Sequence, residues 1–78
     1  MTRLPSLSSR QVIRALLRAD FAEAPDRGKG SHRAFCRRDP SGRVRLVIVP
    51  QGKDIPRGTL LAILDQAGLN RDEFMALL

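Results

Sequence analysis

The chain has 78 residues with one cysteine, Cys36, and one histidine, His32, which excludes an internal disulfide and leaves no recognisable four-ligand zinc spacing. A single domain spanning residues 1–78 is expected, with a thin core, because at this size only about 60% of the unfolded surface can be buried. Lys and Arg number 14 against 8 Asp and Glu, a formal charge of +6, and 12 of the 14 are arginine. Arginine presents a planar fork of donors that matches phosphate oxygens two at a time, so this balance points to a polyanion, most often nucleic acid. The first 20 residues hold four arginines and lack the unbroken apolar run of about 7–15 residues of a secretory leader. No stretch approaches the roughly 18 apolar residues of a membrane span. A soluble protein of the reducing cytoplasm, away from the membrane, is the expectation.

In chain order, Leu7-Ser8-Ser9-Arg10-Gln11-Val12 opens a helix. Ser8 and Gln11 stand at the two positions of a capping box, and Leu7 and Val12 at those of a hydrophobic staple. Val12, Ile13, Leu16 and Leu17 recur at helical spacing, which predicts a helix from about Ser9 to Ala19, with Arg10, Arg14 and Arg18 on another face. These arginines are placed to meet RNA or the acidic surface of a partner protein. Phe21–Ala24 reads as a short strand. Pro25-Asp26-Arg27-Gly28-Lys29-Gly30 is turn chemistry, with both glycines able to adopt positive φ. His32–Arg37 reads as a second strand. A period of two puts His32, Ala34 and Cys36 on one face and Arg33, Phe35 and Arg37 on the other, without saying which is core. Arg37 and Arg38 read as a solvated strand end.

Asp39-Pro40-Ser41-Gly42 fits a type I turn. The β-branched run Arg43–Pro50 predicts a third strand, expected at the centre of a small antiparallel meander. After the polar loop Gln51–Asp54, Pro56 suits a first helical position. Leu60, Ile63, Leu64 and Ala67 form the buried stripe of the helix that follows, and Gly68 ends it with Leu69 placed for an apolar contact. Asn70-Arg71-Asp72-Glu73 is a second capping box, opening a short helix that offers Phe74, Leu77 and Leu78 for packing. The order is α-β-β-β-α with a short closing helix. The expected class is α+β, two helices on one face of a three-stranded antiparallel sheet.

Two segments carry a family signature. Gly30-Ser31-His32-Arg33-Ala34-Phe35 is a G-S-H-x-x-F stretch after a glycine-containing loop. Val49-Pro50-Gln51-Gly52-Lys53-Asp54-Ile55-Pro56-Arg57-Gly58-Thr59-Leu60 leads into Ile63-Leu64-Asp65-Gln66-Ala67-Gly68-Leu69. Together they resemble the HicA, or YcfA-like, toxins of toxin–antitoxin pairs, over nearly the whole chain from Leu7 through Leu77. The resemblance implies a fold similar to the double-stranded-RNA-binding domain. It also implies metal-independent and ribosome-independent cleavage of mRNA, no cofactor, a HicB-type antitoxin that covers the active site, and catalysis by the histidine of G-S-H, here His32. Many relatives carry a histidine or a glycine in the loop near Gln51 or Gly52. This chain has Gln51 and no second histidine, so a two-histidine mechanism is not available to it.

RNA cleavage can use the substrate's own 2′-hydroxyl as nucleophile. Protein groups must then move protons and offset the charge of a phosphorane. Histidine, with an ordinary pKa near 6.5, serves as base or acid at neutral pH. Lys29, Gly30, Ser31, Arg33, Lys53 and Arg57 are the residues expected to hold RNA. The cationic ones offset phosphate charge, while Gly28 and Gly30 admit close approach of the backbone. With Tyr and Trp absent and only three Phe, base stacking cannot dominate. A non-catalytic RNA-binding module, or a subunit that only engages an antitoxin, are the alternatives.

Overall fold

A computed structural model describes residues 3–78; the first two residues of the expected domain lie outside the described residues. The elements are α1 (Ser9–Arg18), β1 (Ala22–Glu23), a 3₁₀ turn (Pro25–Arg27), β2 (His32–Arg38), β3 (Val44–Pro50), α2 (Arg57–Ala67) and α3 (Arg71–Met75). The three strands pair antiparallel in the order β1-β2-β3. This is the expected α+β arrangement.

Local chemistry accounts for both ends of α1. The Gln11 amide donates to Ser8 Oγ and the Ser8 amide donates to Gln11 Oε1, which closes the capping box. Leu7 and Val12, the staple positions, are both buried. The helix stops at Arg18, one residue short of expectation. Asp20 then adopts a left-handed φ of 68°, and the Phe21 amide folds back onto the Leu16 carbonyl. Phe21 therefore enters the core just before β1, which shortens the expected strand to two residues.

Register decides what parity left open. Phe35 pairs with Val47 and Arg33 with Val49, and paired residues share a face. Phe35, Val47 and Val49 are buried together with Val12 and Leu16 of α1, Leu60, Ile63 and Leu64 of α2, and Phe74 of α3. The face of Phe35 is thus the core. Ala34, on the other face, is also fully buried, because the 25–28 segment runs tight against β2. A Cβ on Gly28 would stand 3.0 Å from the His32 carbonyl and 3.3 Å from the Ala34 nitrogen. Gly28 itself is extended, with φ −81°, so of the two glycines able to adopt positive φ only Gly30 does.

The expectation that the third strand is central is corrected: β2 is central and β3 is an edge. The apolar run of β3 arises from burial beneath helices rather than from pairing on both sides. Its free edge lies beside α2, where Gln66 Oε1 accepts the Ile48 amide at 3.1 Å. This side chain substitutes for a neighbouring strand.

α2 begins at Arg57, with Pro56 as its N-cap instead of its first residue. It ends as expected at Gly68, φ 72°. The second capping box forms between Asn70 and Glu73. Phe74 is buried and Leu77 packs against the core, but Leu78 stays exposed. Among the described residues no helix is long and apolar enough to cross a membrane.

Candidate functional site

Residues 29–32 form a tight hairpin. Lys29 and His32 exchange backbone hydrogen bonds of 3.0 and 3.1 Å around Gly30 and Ser31, and Gly30 takes φ 61°, which a glycine adopts without strain. The Gln51 amide donates to the Ser31 carbonyl at 2.9 Å. The Ser9 amide in turn donates to the Gly52 carbonyl at 3.0 Å. The hairpin, the loop after β3 and the start of α1 are thereby fastened to one another through main-chain bonds.

His32 opens β2 opposite Pro50. Its side chain lies on the sheet face away from the core and is exposed. The ring's one polar neighbour among the described residues is Ser31 Oγ, 3.4 Å from Nδ1, at the long limit of a hydrogen bond. The ring borders an open groove of about 440 Å³ between β3 and the first turns of α2, lined also by Ile48, Pro50, Gly58, Thr59 and Gln66. Pro56 supplies no side-chain cap to α2. Gly58 and Thr59, which line this groove, belong to the first turn of α2, whose amides are the positive end of the helix dipole.

The structure gathers some expected site residues and separates others. Lys29, Gly30 and Ser31 share the hairpin with His32. Arg33 does not stand beside it: the strand alternation turns Arg33 to the opposite face. There its Nε and Nη2 donate to both carboxylate oxygens of Glu23, at 2.8 and 2.6 Å. The hydrogen bond to Arg33 holds the Glu23 carboxyl below its ordinary pKa, and Glu23 raises that of Arg33. Lys53 is exposed in the loop before α2 and does not line the His32 groove. Arg57 faces a different depression, formed with Leu4, Ser6 and Asp54. Thr59, Gln66 and Gly58 border the groove but were not foreseen; the missing cap at Pro56 was the one signal for the first turn, and nothing in the pattern marked Gln66.

Arg33 also lines a second groove, with Arg10, Ile13, Arg14 and Leu17 of α1 and with Gln51. The reading of a solvated strand end holds for Arg38, which is exposed, and is corrected for Arg37, which is half-buried. Arg37 donates to the Ala19 carbonyl at 2.8 Å and stacks over Phe21, and Arg38 donates to the Gly42 carbonyl at 2.8 Å. Cys36 is a half-buried free thiol. Among the described residues no three His, Cys, Asp or Glu side chains converge to hold a metal ion.

An exposed imidazole on a fastened hairpin, facing uncapped helix amides in a strongly basic chain, has the character of an anion-handling site. No curated protein matches the chain. A family model described as the HicA toxin of bacterial toxin–antitoxin pairs matches residues 9–69. That span runs from the first residue of α1 to just past the glycine that ends α2, and so takes in every element that builds the His32 groove. The chain belongs to the HicA toxin family.

Proposed function

We propose that this toxin is an mRNA interferase, a metal-independent and ribosome-independent endoribonuclease of the cytoplasm. The whole chain, 1–78, acts as one domain, and His32 is its general acid/base. The reaction needs one bond made and one broken. The 2′-oxygen attacks the adjacent phosphorus while its proton leaves to a base. The P–O5′ bond then breaks as O5′ takes up a proton. His32 performs one of these transfers, and water completes the other. One positioned acid/base group contributes about 10²–10⁴-fold.

The observation that carries this reading is the setting of His32. The ring is exposed, has among the described residues no hydrogen-bond partner but Ser31 at 3.4 Å, and borders a groove lined on its other side by the first turn of α2. A structural histidine at a strand start would instead be hydrogen-bonded into the fold. The Gly58 and Thr59 amides are placed to meet phosphate oxygens and offset phosphorane charge. Lys29, joined to His32 by two backbone hydrogen bonds, stands across the hairpin as a cation for the RNA. Lys53 and Arg57, on the loop side, attract the RNA at longer range. A HicB-type antitoxin neutralises the toxin by covering this groove.

The test is cleavage of a single-stranded oligoribonucleotide by purified protein in EDTA. Wild type cuts, and His32→Ala loses about 10²–10⁴-fold in rate while retaining binding. Undiminished cleavage by pure His32→Ala, or no cleavage by wild type in EDTA, overturns the proposal.

A further inference from the structure

The arginines of α1 have no part in the His32 groove, yet they are not scattered. Arg10 and Arg14 lie one turn apart, about 6 Å along the helix axis, and border the second groove together with Arg33, Ile13, Leu17 and Gln51. Arg10 and Arg14 are exposed and make no hydrogen bond or ion pair within the described residues. Arg18, the third of the series, is engaged: its Nη1 donates to the Leu77 carbonyl at 2.9 Å. Arg33 is held still by its two bonds to Glu23 and by the Phe35 ring 5.5 Å away, with Nη1 left over. A guanidinium already fixed in place loses little rotamer freedom on meeting a ligand.

We infer that this second groove is an RNA subsite that holds backbone phosphates of the strand presented to His32. The inference rests on the RNA reading above and extends it to a surface on the other side of β2. All three charged side chains lining the groove are guanidinium groups, and no carboxylate is among them. The lining is continuous with the catalytic hairpin, since Gln51 borders the groove and its amide donates to the carbonyl of Ser31, next to His32. A strand of RNA passing over Gln51 runs from one groove to the other. A protein partner fits less well: Ile13 is buried, so Leu17, 52% exposed, is the one apolar side chain open to contact. A stable protein interface covers about 800 Å² on each side.

The experiment measures binding of a labelled single-stranded oligoribonucleotide to His32→Ala, which leaves the RNA intact, across a salt series. It is repeated with Arg10→Ala/Arg14→Ala added. Losing two phosphate contacts weakens binding about tenfold at low salt and makes the log–log salt slope shallower by about 1.4. Arg10→Lys/Arg14→Lys restores the slope. In the wild-type background the alanine pair raises KM with kcat unchanged. Alanine favours helix, so circular dichroism should show α1 intact. If RNA binds but the alanine pair leaves affinity and slope unchanged, the subsite does not exist and the proposed activity stands. If the same pair instead abolishes copurification with the antitoxin, the groove is a protein surface and the inference is overturned. If the His32→Ala protein binds no RNA at any salt, both readings fall.

Discussion

The two ends of β2 treat their polar side chains in opposite ways. At the Asp39 end, Oδ1 of Asp39 accepts from the Ser41 amide, the Ser41 hydroxyl and the Arg43 amide, and Oδ2 accepts from Arg45 Nε at 3.0 Å. Arg38 donates to the Gly42 carbonyl. The Ser41 hydroxyl first, and then Arg45, hold the Asp39 carboxyl well below the usual carboxylate range. At the His32 end the main chain is equally tied, but the side chains of Lys29, Ser31 and His32 are left exposed and almost without partners. A turn that satisfies itself contributes to stability. A turn that fixes its backbone and leaves its side chains free is suited to a ligand.

This contrast breaks if the two ends fail to dissociate on mutation. The largest expected effect is on rate: His32→Ala lowers cleavage by about 10²–10⁴-fold and leaves the thermal midpoint nearly unchanged, since exposed substitutions stay within about ±0.5 kcal/mol. Asp39→Asn does the reverse, lowering the midpoint by several degrees at pH 7 with cleavage intact at 25 °C. Its pH dependence has a definite sign. The carboxyl's folded pKa lies below its unfolded value of about 3.9, so its contribution is complete above about pH 5 and is withdrawn as the pH falls toward the depressed value. The difference in midpoint between wild type and Asp39→Asn therefore shrinks on acidification. A difference that grows would refute the role given to Asp39.

Next in size is Gly28→Val. Its Cβ meets backbone at 3.0 Å, which cannot swing aside as a side chain does, so about 1–3 kcal/mol is lost in denaturant unfolding. Because that backbone belongs to His32, cleavage falls with it. Gly30→Ala separates the two glycines: open space surrounds its Cβ, but φ 61° costs about 1 kcal/mol. Gln66→Ala removes the acceptor of the Ile48 amide at the groove's edge and costs about 1 kcal/mol, read in the same unfolding experiment. Smallest is Ser31→Ala. A 3.4 Å contact is worth so little that cleavage changes by less than about threefold, equivalent to roughly 0.65 kcal/mol. A hundredfold loss would make Ser31 an orienting group for the ring.

Much of the fold was legible because its signals are local. Both capping boxes, the Asp39–Gly42 turn, the Gly68 stop and the stripe Leu60, Ile63, Leu64, Ala67 each depend on residues a few positions apart, and each forms as read. The site was legible in part. His32 and its hairpin stand out from the G-S-H stretch, but Arg33, its neighbour in the chain, works on the far side of the sheet. Strand alternation already put it on the opposite face from His32. Gln66 could not have been found, because its task is set by an amide 18 residues away.

By itself, the sequence determined the helices, both capping boxes, the Gly68 stop, the Asp39–Gly42 turn and the basic character of the chain, since these follow from side-chain and backbone preferences over spans of a few residues. Only the tertiary structure decided that Phe35 rather than Ala34 faces the helices, that β2 rather than β3 lies in the middle, and that Gly28 is required for contact with β2 instead of for positive φ. It also set Arg10, Arg14 and Arg33 along the second groove and Arg57 apart from the His32 groove. The physical reason is common to all of these: a strand's two faces and two edges are equivalent until something packs against them, and what packs against them here is brought in from outside the strand, by α1 and the 25–28 segment before it and by α2 and α3 after it.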